Sequence, residues 1–444
     1  MGIQGIVHGF SKLSREDQIQ LLREFTGNPV SLEAHLNDHR LQDSKWQGVY
    51  DSFSENAVSN FFLPYCIAPN FRIDNRFYFV PMVTEESSVV AAASSAAKFW
   101  SERGGFHTRV SSVNKPGHIH FTWNGSPEEI SSFVTGLIPG LHKATSMLTR
   151  NMKKRGGGIT DIQLIDRTAT LEGYYQIEVM FNTVDSMGAN FINSCLERMA
   201  AFIGKQVELA GISDRFSIVM AILSNYTPQC TVECSIACDP DRLSHPAYGM
   251  NGLEFARKFE FAVNISRQDT HRAVTHNKGI YNGIDAVVIA TGNDFRAVEA
   301  DGHAFAARDG KYRGLTEVEV YPDSFSCKIE IPISIGTIGG LTRLHPLAAV
   351  SLEILGNPDV PKLMSIASAA GLACNFSAVR SLITGGIQSG HMHMHLSNIL
   401  HQLQADPEEK KAAVAYFREH TVSYAEVEVF LTGMRTRVAQ TRKR

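Results

Sequence analysis

The chain has 444 residues, 43% of them apolar and 20% charged, enough for a large core and more than one structural unit. Its 42 basic side chains are set against 45 acidic ones, so no overall field exists to hold nucleic acid or an anionic membrane, and recognition falls to a local pocket. Seven cysteines, an odd number over so long a chain, do not read as a disulfide framework, and no window reaches 18 consecutive apolar residues.

The opening "MGIQGIVHGFSKLSRED" has neither a basic lead nor a small-residue cleavage site, and Ile6 stands where myristoylation needs Ser or Thr, so a cytoplasmic location is expected. A serine ahead of Glu16 and helical apolar spacing predict a short helix over 10–25. Aromatic and β-branched runs around "RIDNR" in 61–83 predict a hairpin with Asp74 and Asn75 in the turn. "TEESSVVAAASSAAKFWSERGGF" then predicts a helix with Glu85, Glu86, Ser87 and Ser88 at its start and a stop at Gly104 and Gly105. The plain reading of those acids and serines is dipole complementation and capping. Between about 110 and 220 the pattern runs strand, helix, strand, strand, helix, a compact α+β unit inserted into the first one. It is followed by "YTPQCTVECSIACDP", whose Cys230, Cys234 and Cys238 would form one face of thiols on a helix. The β-branched residues between them favour a strand instead, with all three on one buried side as core residues rather than metal ligands.

Residues 271–295, "HRAVTHNKGIYNGIDAVVIATGNDF", read as Lys278 on a tight polar turn, then "AVVIA" as a buried strand ending in Thr291, Gly292, Asn293 and Asp294. Open α/β sheets place ligand-binding residues at the carboxyl ends of such strands, so Lys278 and Asp294 could meet there; the plain alternative is two surface charges. A carboxylate such as Glu86, if buried beside them, could hold a proton near neutrality. In "VDSMGANFIN", Asp185 is a plausible N-cap, and the free N–H groups that follow suit a phosphate or the polar edge of a cofactor. No GxGxxG follows a strand, so a Rossmann site is not supported. Ala- and Gly-rich helices dominate 340–385. The last sixty residues are helical and polar, and "GGIQSGHMHMHLSNIL" puts His391, His393 and His395 at alternate positions. On a helix His391 and His395 lie one turn apart while His393 points away, a poor three-ligand set, so no metal is expected.

Taken in order, "ENAVSN", "LPYCIAPNF", "VPMVTEESSVVAAAS", "VDSMGANFIN", "ILSNY", "HRAVTHNKGIYNGIDAVVIATGNDFRAVEA", "ISIGTIGG", "HPLA" and "GGIQSGHM" resemble the 3-hydroxy-3-methylglutaryl-CoA (HMG-CoA) reductase family, soluble class II type, from about residue 8 to about 400. The resemblance implies reduction of HMG-CoA to mevalonate and free CoA by two nicotinamide hydrides, or the reverse oxidation. It implies an α+β fold: a large mixed helix/sheet substrate domain in two parts, 1–110 and 221–384, an inserted small ferredoxin-like cofactor domain at 111–220, and a C-terminal helical flap at 385–444. The family's catalytic residues fall on Glu86, Lys278, Asp294 and His391: Lys278 to stabilise the oxyanion, Glu86 to donate a proton, Asp294 to tune both, and His391 to protonate the departing CoA thiolate. Ser88, Arg272, Thr275 and Asn282 match substrate positions, with Arg272 and Ser88 suited to the distal carboxylate of HMG. Asp185, Met187, Gly188, Asn190 and Asn225 match cofactor positions, and the family uses no metal.

Some positions depart from the family pattern: Val58 and Ser59 in the first motif, Ser87 after the catalytic glutamate, Ser186 for alanine, and Phe295 for tryptophan. NADH-preferring members carry an acid shortly before the glycine run at 156–158; Thr149 and Arg150 stand there, followed by Lys153, Lys154 and Arg155. Cations in place of an acid suit the 2′-phosphate, so NADPH is expected over NADH. The family's site lies between two chains, which implies a homodimer or higher oligomer. Two alternatives stay open: a catalytically silent CoA-ester or nucleotide-binding protein of the same fold, and a reductase of another acyl-CoA.

Overall fold

A computed structural model describes residues 6–27, 29–245, 248–386, 396–417 and 420–441. Three short helices come first: α1 (Arg15–Phe25), α2 (Val30–Asp38) and α3 (Ser44–Asp51). The Ser14 hydroxyl accepts the Asp17 N–H at 3.1 Å and so fixes where α1 begins. The hairpin follows as β1 (Tyr65–Ile73) and β2 (Arg76–Val83), turning at Asp74 and Asn75 with φ of 47° and 67°. Two left-handed residues in a two-residue turn match the right-handed twist of the strands they join.

Next are α4 (Val89–Ser101) and β3 (His107–Val110). Here one expectation is corrected: α4 starts after Ser88, whose φ of 74° makes it a left-handed N-cap, so Glu85 and Glu86 lie in the loop ahead of the helix rather than in its first turn. The chain then runs β4 (Asn114–Trp123), α5 (Pro127–Ala144), α6 (Ser146–Lys154), β5 (Gly158–Asp166), β6 (Tyr174–Asn182), α7 (Ala189–Ala210) and β7 (Phe216–Leu223). These strands form an antiparallel sheet in the order β5-β6-β4-β7, the ferredoxin-like arrangement, with its own core around Ile119, Phe121, Ile177, Leu196 and Met199.

The rest comprises β8 (Thr231–Cys238), α8 (Gly252–Gln268), α9 (Thr270–Ala290), α10 (Phe295–Ala306), β9 (Thr316–Tyr321), β10 (Ser324–Pro332), α11 (Leu341–Leu344), α12 (Pro346–Ile354), α13 (Val360–Ile383), α14 (396–402), α15 (Pro407–Tyr416) and α16 (Tyr424–Thr441). A second antiparallel sheet has the order β3-β8-β10-β9, so the chain leaves it after β3, builds the smaller sheet, and returns on the strand bonded to β3. Cys230 and Cys234 are buried beside or on β8 and Cys238 is half-buried; burial pushes the Cys230 and Cys238 thiols up to about 11, leaving them unreactive near neutrality. Among the described residues no cluster of three His, Cys, Asp or Glu could hold a metal ion.

The main correction concerns 271–295: neither the turn at Lys278 nor the strand at Ala286–Ala290 forms, because Thr270–Ala290 is one continuous helix. Asp269 caps it by accepting the His271 N–H, and its buried residues Ala273, Asn277, Ile280, Ile284 and Val287 recur every three or four positions. Gly283 is not a turn residue but a packing notch. A Cβ there would lie 2.2 Å from the Ala370 carbonyl oxygen of α13, against which α9 runs antiparallel. Helix α13 is long and apolar enough to cross a membrane, yet 78% of that stretch is buried within the protein, which makes it the central core helix.

The connection from the small sheet back to β8 is clamped by a buried acid. The Asp301 carboxylate on α10 accepts the Thr227 N–H at 2.8 Å and the Thr227 hydroxyl. Burial pushes its pKa up to about 6, with these two bonds pulling the other way.

Two stability predictions follow from this packing. Gly283→Ala forces α9 and α13 apart and costs about 1–3 kcal/mol, whereas Gly279→Ala, where the nearest atom is 3.9 Å away, is tolerated or stabilising; urea unfolding of the two variants checks the contrast. Because Asp301 binds its proton more tightly folded than unfolded, stability falls as pH rises from about 4 to about 6. Asp301→Asn keeps an acceptor for the Thr227 N–H, and the slope of stability against pH in that window should flatten in this variant.

Candidate functional site

Because α9 is packed against α13, β2 and α8 and tied to β9 through His276, the remainder of its surface must carry whatever polar groups the helix offers to ligands. The sealed side is fixed by a closed ring of buried hydrogen bonds. His276 Nε2 meets the Thr316 hydroxyl at 2.7 Å, that hydroxyl donates to Asn375 Oδ1 at 2.9 Å, and Asn375 Nδ2 returns to the His276 carbonyl at 3.1 Å. Burial, then the nearby Arg272 charge, push the His276 pKa down to about 3, so its ring is neutral. Asn277 adds bonds to the Arg313 carbonyl and the Leu315 N–H. Sequence reading missed these scaffold residues; the polar pair His276-Asn277 in phase with the apolar Ala273 and Ile280 was the available signal.

On the open side, Arg272, Thr275, Lys278 and Asn282 fall within about 120° of arc. Lys278 donates from Nζ to Glu86 Oε2 at 2.5 Å. With the two side chains 58% and 41% exposed, this pair adds little to stability. Its consequence is chemical: an ammonium and a carboxyl group in hydrogen-bond contact at an accessible surface. Glu86 reaches it from the loop between β2 and α4, whose next residues, Ser87 and Ser88, lead into the helix. Arg272 is half-buried in the first turn of α9, where burial lowers its pKa and Asp269 opposes the shift; a guanidinium stays charged there. The Thr275 hydroxyl donates to the His271 carbonyl at 3.1 Å.

Asp294 stands elsewhere. It caps α10, accepting the Arg296 and Ala297 N–H groups, and it pairs with the Arg296 guanidinium at 3.1 Å. Along α9, Lys278 and Ala290 are separated by about 18 Å, so the expected meeting of Lys278 and Asp294 does not occur within one chain. The residue before Asp294, Asn293, connects to the other motif. Asn293 Oδ1 accepts the Gly336 N–H at 2.7 Å, a Cβ on Gly336 would lie 2.5 Å from the Met187 nitrogen, and the Asp185 carbonyl accepts the Thr337 and Ile338 N–H groups. A cleft of about 590 Å³ opens beside these segments, lined by Asp185, Thr337, Arg343, Glu353 and Asn357 among others.

Asp185 is not the N-cap of α7: that position is Gly188, with φ of 87° and no room for a Cβ against Thr183. Asp185 instead accepts the Val360 N–H with its side chain. Asn190 is exposed in the first turn of α7, and Asn225 is exposed just after β7. Thr149 is buried on α6 with its hydroxyl bonded to the Thr145 carbonyl, which turns it away from ligands, while Arg150 is exposed beside it. His391, His393 and His395 lie outside the described residues.

Residues 14–396 match the family model described as hydroxymethylglutaryl-coenzyme A reductase. The chain is 36% identical over 402 residues to the 3-hydroxy-3-methylglutaryl-coenzyme A reductase of Archaeoglobus fulgidus, a match covering 88% of this chain and 86% of that protein. The class II enzyme of Streptococcus pneumoniae, in a structure bound to NADPH in open conformations, superposes with a TM-score of 0.70 at 34% identity, over 85% of this chain and 99% of that one. A further structure of the Streptococcus pneumoniae reductase matches 96% of this chain and 99% of its own at 32% identity, again with a TM-score of 0.70. The fold and these likenesses define an oxidoreductase. The chain belongs to the hydroxymethylglutaryl-coenzyme A reductase family.

Proposed function

We propose that the chain reduces HMG-CoA to mevalonate and CoA in a site shared by two copies, with Lys278 and Glu86 from one and Asp294 from the other. The Lys278–Glu86 hydrogen bond on the open face of α9 carries this reading. Each hydride delivered to the acyl carbon leaves a negative oxygen, and the Lys278 ammonium is placed to hold it. Glu86, already in contact with that ammonium, returns the proton in the aldehyde step, and Asp294 tunes both. His391 protonates the CoA thiolate, whose conjugate thiol has an ordinary pKa of about 8.5. Arg272 and Ser88 hold the distal carboxylate of HMG, the guanidinium through a two-pronged contact, with Thr275 and Asn282 lining the same face.

The residues around 183–190 fit a dinucleotide. Gly188 leaves the N-terminus of α7 open, the adjoining cleft has room, and α6 ends in Lys153 and Lys154 close to the exposed Arg150, with no acid of its own. The dinucleotide supplies the hydride equivalents. Asp185, Met187, Gly188, Asn190 and Asn225 would hold it, and the cations on α6 suit a 2′-phosphate, so NADPH is the preferred form. A Streptococcus pneumoniae relative of known structure binds NADPH.

Two features support a shared site. The distance along α9 keeps Asp294 from its own Lys278, and Phe61, Phe62, Phe77 and Phe79 are exposed on and ahead of the two-stranded ribbon that leads to Glu86. We assign 111–220 to cofactor binding, 1–110 and 221–384 to substrate, and 385–444 to a flap. The described part of that last segment has its own core of Leu396, Leu400, Phe417, Val427 and Leu431, as a unit moving as one body requires. A cytoplasmic enzyme is the accompanying expectation.

Subunit mixing is the direct test. Lys278→Ala and Asp294→Ala should each abolish nicotinamide oxidation with HMG-CoA, while refolding them together as an equal mixture should restore about a quarter of wild-type activity, because half the dimers then hold one intact site. No recovery would place both groups in one chain. For the cofactor, Arg150→Gln combined with Lys153→Gln should lower kcat/KM with NADPH about tenfold and leave that with NADH nearly unchanged; a strong NADH preference in the unaltered protein would overturn the assignment.

A further inference from the structure

Lys115 lies on β4 opposite Phe181 and is 2% exposed. A buried ammonium without a counter-ion is costly, and among the described residues no carboxylate pairs with it. Its contacts go to one short segment: Nζ donates to the Thr183 hydroxyl at 2.8 Å and to the Ser186 carbonyl at 3.2 Å, and the Thr183 hydroxyl donates to that same carbonyl at 2.6 Å. Burial lowers the Lys115 pKa, with the neighbouring Cys230 opposing the shift.

A second cost sits in the same segment. Val184 has φ of 52°, a left-handed conformation that a β-branched side chain rarely adopts and that persists only where its surroundings impose it. What imposes it is visible: Asn182 Oδ1 accepts the Val184 N–H at 2.9 Å on one side, and the Lys115 and Thr183 donors gather the Ser186 carbonyl on the other. Thr183 also stands where a Cβ on Gly188 would be, 2.4 Å from its methyl group, so the same residue sets the entry to α7. An apolar residue at 115 and an unstrained turn would have cost less. Two local penalties on six residues that carry Asp185, Met187 and Gly188 indicate a position held for binding rather than for stability.

We infer that Lys115 is a positioning residue for the nicotinamide dinucleotide, fixing through its ammonium the 183–188 loop in the shape that meets the cofactor. This rests on the reading of that loop as a cofactor contact. Lys115 touches no ligand itself; it acts through the Ser186 carbonyl.

The test uses the full-length protein with Lys115→Met, which keeps an unbranched stem and removes the donors, and Thr183→Val, which keeps the shape and removes the shared hydroxyl. NADPH affinity is measured by nucleotide fluorescence, KM is measured for both substrates, and the melting temperature is recorded. Lys115→Met should weaken NADPH binding about tenfold and Thr183→Val about threefold, with the KM for HMG-CoA within about twofold of wild type. Unchanged NADPH affinity in both variants overturns the inference, as does a rise in both KM values in step with a fall in melting temperature. Asp185→Ala separates the underlying reading: if it too leaves NADPH affinity unchanged, the loop is not the cofactor contact; if it alone weakens binding, only the role of Lys115 fails.

Discussion

The close approach of α9 to α13 at Gly283 and Ala370 is the constraint on which the site depends. It requires a residue without a side chain on α9, and it commits one face of that helix to the core. The ring through His276, Thr316 and Asn375 then fixes the helix in rotation. A turn of about 100° per residue does the rest: with Ile280 and Ile284 inside, Lys278 must be outside, and Arg272, Thr275 and Asn282 must accompany it. The Lys278 ammonium is thus aimed by packing on the opposite side of its helix, and Glu86 is brought to it by a β-hairpin and the left-handed Ser88.

What the sequence revealed follows from the range of the interactions involved. The 74–75 turn, the cap at Ser14 and the strand character of the three-cysteine stretch are set by neighbours a few residues apart, and local patterns report such interactions well. The 271–295 segment misleads for a related reason. Glycine and asparagine signal a turn to any local reading, and five apolar residues in a row suit a buried strand or a buried helix equally. The deciding partner, Ala370, lies far along the chain, and no local feature of Asn282-Gly283 announces it. Asp185 and Glu86 were read as helix-start residues for the same reason; in each case a left-handed residue, Gly188 or Ser88, takes the cap position downstream.

Lys278, Asp294, Glu86 and Asp185 stood out in the sequence as residue types, but their specific roles came only from the resemblance, which places residue types but not chain contributions. Lys278 and Asp294 are sixteen positions apart and read as a turn and the end of a buried strand that could meet; the continuous helix that begins before Lys278 instead carries Ala290 about 18 Å away from it. The residue beside Asp294, Asn293, bonds Gly336, which in turn packs against Met187.

The order of strands in the larger sheet bears on how the molecule is made. All four strands of the smaller sheet and the helices α5, α6 and α7 lie within 114–223, so every partner that sheet needs is synthesised before β8. β3 has no such company. Its partner β8 begins more than a hundred residues later, and the central helix α13 that covers them arrives near the end. The nascent chain therefore carries a finished small unit on an unfinished large one, and the apolar hairpin and α4 must wait, unsealed, for the last quarter of translation.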